Sequence, residues 1–193
     1  MSFRSLAALA LLAFAPATFA DVKSDVLASH EAMLKAGKFR MVGTTTSGKD
    51  TQEIWSEIVW PDRVHARNAG GEFIVLPGKT WMKQGGEWML MPMDMSAMMK
   101  AFSPGAIRES FDNMKNAKDL GEQELDGKTA RVYEYDTSAS VMGIKAESHV
   151  KVYIDPETKL VVRQEADSTA MGQKSKTVQD YQYDASISID PPI

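Results

Sequence analysis

Residues 54–102 read IWSEIVWPDRVHARNAGGEFIVLPGKTWMKQGGEWMLMPMDMSAMMKAF. They contain all four tryptophans of the chain and seven of its thirteen methionines. In most of this stretch, apolar residues alternate or form short runs broken by Pro-Asp, Gly-Gly and Pro-Gly, which is typical of antiparallel strands. At its end the apolar residues fall at i, i+3, i+4 and i+7 of a helix: Met95, Met98, Met99 and Phe102. The stretch therefore predicts an aromatic-rich sheet with a soft apolar cover, which favours a container over a catalyst.

The first twenty residues have the three parts of a secretory signal peptide. Arg4 supplies the positive region, residues 6–14 form a short apolar run, and Thr18-Phe19-Ala20 is a small-x-small cleavage site. The apolar run is shorter than the roughly 20 residues that a membrane span needs. We predict that residues 1–20 are removed on export and that the mature protein, beginning at Asp21, is soluble in the periplasm.

The composition of the mature chain limits the classes of function. Its 173 residues are enough for one domain with a substantial core. Removal of Arg4 changes the net charge from −4 to −5, and no basic block remains, which argues against nucleic acid as a partner. The absence of cysteine excludes thiol catalysis and cysteine-based metal sites, so the fold must depend on its core.

Local signals predict helices at two further places and strands elsewhere. Residues 21–36 carry an apolar stripe that ends before Gly37, and Ser103-Pro104 is a typical N-cap and first helical position. Asp126-Gly127 predicts a hairpin between two later strands. Because the tail from Ile187 to Ile193 contains two consecutive prolines, we expect it to be an edge strand or a loose end.

The mature chain resembles the periplasmic lipoprotein-localisation carrier superfamily, that is, LolA-like proteins and the related outer-membrane lipoprotein-sorting proteins. The order of several elements carries this resemblance: the opening helix, the turn Trp60-Pro61-Asp62-Arg63, the strand pair of residues 71–88, the helical insert after it, and the late segments GKTARVY (127–133) and VYIDPETKLVVRQE (152–165). It implies an α+β fold over residues 21–193, with an open antiparallel β half-barrel and a helical lid over its concave face.

The resemblance also implies that this protein binds or carries a lipid, a lipoprotein acyl chain or another hydrophobic ligand, without catalysis or a cofactor. Membrane-bound donor or acceptor proteins are its expected protein partners. The residues that we expect to line the hollow are Ile58, Trp60, Trp88, Met91, Met95, Met98, Met99 and Phe102. One position departs from the lipoprotein carriers proper, because Trp60 stands where they have an arginine that holds the lid. The apolar cavity is therefore expected here, but lipoprotein transfer itself is not.

A copper-binding protein is the main alternative. Methionine recurs at every second residue at positions 89, 91, 93 and 95, and thioethers select Cu(I). However, Pro92 and the helical period that follows Asp94 interrupt a uniform extended face. The three histidines, His30, His65 and His149, are scattered without paired-ligand spacing.

Enzyme motifs are weak. Ser148 and Lys151 match Ser-x-x-Lys, but that motif requires a helix and this segment alternates as a strand. Two other interpretations of the sequence remain. The methionines can fill a permanent core, or the protein can be a scaffold that pairs with a partner through an exposed sheet edge. The sequence predicts a non-enzymatic binding protein.

Overall fold

The computed structural model describes residues 19–93, 95, 103–141 and 144–192. It contains two described helices and one sheet of eleven strands. The helices are α1 (Phe19–Ala36) and α2 (Pro104–Asp112). The strands are β1 (Lys38–Ser47), β2 (Asp50–Val59), β3 (Arg63–Asn68), β4 (Gly71–Leu76), β5 (Lys79–Gln84), β6 (Glu87–Leu90), β7 (Lys115–Leu125), β8 (Lys128–Val141), β9 (Ile144–Ile154), β10 (Val161–Ala170) and β11 (Gln173–Tyr183). No described helix has both the length and the apolar character needed to cross a membrane.

The sheet is open and consists of two antiparallel meanders joined at their centre. Its strand order is β6-β5-β4-β3-β2-β1-β11-β10-β9-β8-β7. The first meander comprises β1–β6 and the second β7–β11, and the long-range pairing of β1 with β11 unites them. The connection from β6 to β7 contains α2. The predicted α+β class and open antiparallel sheet are therefore confirmed.

Both described helices pack on the same face of the sheet, which we call the inner face. Val22 and Val26 of α1 and Phe111 of α2 form one buried cluster with inner-face residues of the second meander, including Tyr135 and Val150. Burial of each such side chain contributes about 1.5–3 kcal/mol, so this cluster fixes the helices over β7–β10. As predicted, Ser103 is the N-cap of α2, and its hydroxyl accepts a hydrogen bond from the Ala106 amide at 3.2 Å.

The end of α1 covers a smaller part of the first meander. Met33 and Leu34 pack against Phe39 of β1 and Ile58 of β2, and all four side chains are buried. The chain then turns at Gly37, whose φ of 76° lies in the left-handed region that favours glycine. This contact joins α1 to the strand that follows it.

The C-terminal tail packs on the opposite face, the outer face, without forming a strand in its described residues, so the prediction of an edge strand or a loose end is wrong. Ile187 and Ile189 are buried against Ile74, Leu76 and Trp81. The tail alternates apolar and polar residues, so one side of it can be buried although Pro191 and Pro192 end its regular structure. The Arg63 guanidinium also donates a hydrogen bond to the Ile189 carbonyl at 2.8 Å.

The predicted helical lid is not confirmed. Met95 is described, but the rest of its methionine face lies outside the described residues. The two described helices lie mainly over β7–β10, with only the end of α1 over β1 and β2.

Candidate functional site

A row of side chains crosses the inner face of the first meander, one from each strand. The strand register pairs Met41 with Ser56, Ser56 with Ala66, Ala66 with Phe73, Phe73 with Met82, and Met82 with Met89. Directly paired residues project to the same side of a sheet. We call these six residues, of which all but Ser56 are apolar, the apolar row. They span about 24 Å, because neighbouring strands lie about 4.8 Å apart.

The apolar row is only partly covered. None of its six side chains is buried, and Met89 is 43% exposed. In the adjacent row, nearer the end of α1, Phe39, Ile58, Val75 and Thr80 are all buried. The inner face of β1–β6 therefore passes from a closed core to an accessible apolar surface over two residues along each strand.

The chain that follows β6 returns over this face. The Met91 amide donates to the Thr80 carbonyl at 2.8 Å and continues the β5–β6 ladder. The Met95 amide then donates to the Thr80 hydroxyl at 3.0 Å. Because the Thr80 side chain belongs to the inner face, its hydroxyl holds the backbone of Met95 over β5, beside the apolar row.

The second meander has a different surface on the same face. A cavity of about 340 Å³ lies between the helices and β8–β11. Four of its lining residues are apolar, and none is Asp, Glu, Lys or Arg. The polar lining residues are His30, Ser110, Tyr135, Thr137, Ser148, Gln164, Ser168 and Thr177.

The histidine of this cavity is neutral and fixed in one tautomer. Its Nδ1 lies 2.9 Å from the Val26 carbonyl, which can only accept, so Nδ1 carries the proton. Burial lowers the pKa of His30 and outweighs the effect of this hydrogen bond. The ring also makes an edge contact with Phe111 at 5.1 Å. Nε2 is consequently an unprotonated acceptor.

The outer face of the first meander carries an aromatic and charged cluster. The ring of His65 lies between Trp55 and Trp88, at 5.0 and 6.0 Å. Glu72 accepts from His65 at 2.8 Å, and its carboxylate also pairs with Arg67 at 3.2 Å and Lys83 at 3.3 Å. Burial by itself raises the pKa of Glu72, but these hydrogen bonds outweigh it and place that pKa below its usual value.

The residues predicted to line a hollow do not all lie together. Ile58 and Trp60 are in one inner-face cluster, where Ile58 is buried beneath α1. Trp88 lies on the outer face, paired with Lys83 and packed against the tail cluster. Met91 and Met95 adjoin Thr80, as described above, whereas Met98, Met99 and Phe102 are outside the described residues.

None of the six members of the apolar row was predicted to line the hollow; the four large ones are Met41, Phe73, Met82 and Met89. A signal for two of them was present, because a hairpin closed at Gly85-Gly86 pairs Met82 with Met89 directly. Met41 and Phe73 depend on the register of separate strand pairs.

The alternating methionines do not all lie in one strand, and the serine–lysine pair is divided between two faces of β9. Of the four alternating methionines only Met89 lies in a strand, because β6 ends at Leu90. Within residues 19–93, 95, 103–141 and 144–192, no three His, Cys, Asp or Glu side chains are grouped to hold a metal. Ser148 and Lys151 project to opposite faces of β9; Ser148 contacts Ser168 at 2.8 Å, and Lys151 donates to Gln123.

No protein-family model matches the sequence, and no curated protein matches it. The fold is nevertheless similar to solved structures. Lipoprotein LppX of Mycobacterium tuberculosis matches with a TM-score of 0.65 and 12% identity, over 90% of this chain and 100% of that one. LprF from Mycobacterium bovis matches with a TM-score of 0.59 and 13% identity, over 92% and 98% of the two chains.

These neighbours define the class of fold. The chain has the LolA-like fold, and the resemblance predicted from the sequence is confirmed at that level. At such low identity the likeness concerns the fold alone.

Proposed function

We propose that this protein is a non-catalytic binding or carrier protein for a hydrophobic ligand, a lipid or an acyl chain, and that it acts in the periplasm. The apolar row carries the proposal. Its side chains form a continuous accessible surface on the inner face, where a ligand would complete the partial cover. A contiguous apolar surface of this kind is typical of an interaction site.

Dispersion and the hydrophobic effect supply the affinity. Each CH₂ group that leaves water contributes about 0.8 kcal/mol, so ten buried groups contribute about 8 kcal/mol before the cost of association. The flexible thioethers of Met41, Met82 and Met89 can repack around chains of different shape. No charged group or cofactor is needed for binding of this type.

The predicted lining residues beyond the apolar row belong to this proposal. Met91 and Met95 lie next to the row, and we propose that Met98, Met99 and Phe102 extend the cover over it. Trp60 adjoins the closed part of the face. Ile58 would meet a ligand only after movement of α1, and Trp88 would not meet a ligand on this face.

The remaining parts of the proposal concern location and partners. Residues 1–20 are proposed to direct export, and residues 21–193 to form the mature binding domain. A carrier exchanges its ligand with membranes or membrane-bound proteins, which are the proposed donor and acceptor. In the lipoprotein carriers, an arginine at the position of Trp60 helps to hold the lid. Because this protein has Trp60 there, we expect it to release its ligand without such an arginine.

Two neighbouring residues of β5 provide a test of the site. Met82 lies on the inner face and Lys83 on the outer face. We expect Met82→Gln to weaken binding of a fluorescent acyl probe at least fivefold, and Lys83→Gln to leave it within twofold. Equal effects of the two substitutions would contradict the assignment of the inner face.

Native mass spectrometry of the exported protein, followed by organic extraction, tests the class of ligand. Co-purified acyl species are the expected result. A copper ion that survives dialysis, in protein free of lipid, would support the copper-binding alternative and overturn the proposal.

A further inference from the structure

The inner face carries two chemically different surfaces that meet at β1. The register places Ile54, Gly43, Gln179 and Gln164 side by side across β2, β1, β11 and β10. Gln164 lines the cavity of the second meander, and Ile54 is one position along the strand face from Ser56 of the apolar row. Gly43 presents no side chain, so Gln179 is the one side chain of this row between Ile54 and Gln164, and the two surfaces adjoin on one face.

The cavity offers hydrogen bonds but no charge. Its polar groups are hydroxyls, one amide and one neutral imidazole. His30 Nε2 is an acceptor, and the Tyr135 hydroxyl is a donor; among the described residues neither has a hydrogen-bond partner. Burial also raises the pKa of Tyr135 well above its usual range, which keeps this hydroxyl protonated.

An occupant of the cavity must match this surface. Burial of an unpaired ion is far more costly than burial of a neutral polar group that finds hydrogen bonds. Five of the six hydroxyls already form hydrogen bonds within the protein, and the Gln164 amide oxygen accepts from Tyr181. A purely apolar occupant would leave the Tyr135 hydroxyl and His30 Nε2 without partners, which is also unfavourable. An uncharged group with both donors and acceptors fits best.

We infer that this cavity is the subsite for the uncharged polar end of an amphipathic lipid, such as an ester- and hydroxyl-bearing glyceride, whose acyl chain lies on the apolar row. The inference rests on the proposed function and adds the headgroup class and the orientation of the ligand. The Tyr135 hydroxyl donates to an ester carbonyl, and a ligand hydroxyl donates to His30 Nε2. An anionic or zwitterionic lipid with the same chain is disfavoured.

Three ligands with the same twelve-carbon chain provide the test: 1-lauroylglycerol, laurate at pH 8 and dodecylphosphocholine, all below their critical micelle concentrations. We expect 1-lauroylglycerol to bind at least tenfold more tightly than the other two. Tyr135→Phe should reduce this preference to threefold or less. Tyr183→Phe is the matched control, because the Tyr183 hydroxyl donates to the Val161 carbonyl at 2.7 Å and does not line the cavity.

A measurement on the unchanged protein keeps the test independent of folding defects. The ¹⁵N resonance of His30 Nε2 should move on addition of 1-lauroylglycerol and remain in place with dodecylphosphocholine. Gln164→Met, which keeps an unbranched side chain of similar length, should weaken the binding of 1-lauroylglycerol selectively.

The outcomes separate this inference from the proposed function. If all three ligands bind equally and Tyr135→Phe has no effect, the headgroup subsite is wrong although the acyl-binding function stands. If none of the three binds, the proposed function fails as well.

Discussion

Thr80 accepts two hydrogen bonds from the chain that follows β6: its carbonyl binds the Met91 amide and its hydroxyl binds the Met95 amide at 3.0 Å. Its side chain is completely buried. The hydroxyl is thus the point at which the chain leaves the sheet edge and returns over the inner face.

Thr80→Val removes this hydroxyl and keeps the shape of the side chain. We expect a loss of stability of about 1 kcal/mol, the usual contribution of one hydrogen bond. Amide exchange measured by NMR should become faster at Met95 and stay unchanged at Met91, whose acceptor is the backbone. Equal protection of Met95 in both proteins would show that the hydroxyl does not hold this segment.

The pairing of β1 with β11 depends on a glycine. A Cβ added to Gly43 would lie 1.9 Å from the Val178 carbonyl oxygen, a distance that no side chain tolerates. Gly43→Ala should therefore separate the two meanders locally and cost roughly 4–5 kcal/mol in the free energy of unfolding.

Gly105 in the first turn of α2 is the matched control, because a Cβ there meets nothing within 4 Å. Gly105→Ala should leave stability unchanged or raise it by about 0.5–1 kcal/mol. Urea unfolding followed by tryptophan fluorescence measures both. Similar stabilities of the two variants would contradict the close approach of β1 and β11.

The Glu72 cluster predicts a dependence of stability on pH. The pKa of Glu72 is lower in the folded protein than its ordinary value of 4.5. Its contribution is complete above pH 4.5 and is lost as the pH falls through the lower folded value. Glu72→Gln should reduce stability at pH 7 by roughly 1–3 kcal/mol and make the decline below pH 4.5 less steep.

Denaturant titrations between pH 3 and pH 7 test this expectation. Glu87→Gln serves as control, since Glu87 is exposed and forms no ion pair among the described residues. A decline that is equally steep with and without Glu72 would mean that other carboxylates account for it.

The C-terminal tail is expected to contribute to stability. Ile187 and Ile189 are only 5% and 3% exposed. Substitution of either by Ala should cost about 2–5 kcal/mol. Met171→Ala, at a turn residue that is 81% exposed, should change stability by less than about 0.5 kcal/mol. If both isoleucine substitutions reduce stability by less than about 0.5 kcal/mol, the tail contributes little to the fold, and the packing described here is contradicted.

Local features of this fold could be predicted because their signals are local. The Asp126-Gly127 hairpin and the Ser103 cap follow from turn chemistry and capping preference. The faces on which side chains lie were harder to predict. Trp88 belongs to the outer face because the β5–β6 register pairs it with Lys83, and a shift of one residue would reverse its side.

Long-range contacts were beyond the sequence. Nothing near Lys38 or Gln173 indicates that β1 pairs with β11, and this pairing places the apolar row and the cavity on one face. The packing of Ile189 on Trp81 likewise joins residues that are distant in sequence. The cavity escaped prediction because its lining comes from six different elements, and its serines and threonines carry no motif.

NMR of the methionine methyl groups tests the central claim most directly, with each resonance assigned by substitution to leucine. Binding of 1-lauroylglycerol should shift the resonances of Met41, Met82 and Met89, which lie in the apolar row, and leave that of Met171 in place. Binding that leaves all three row methionines unchanged would contradict a ligand site on the inner face of β1–β6.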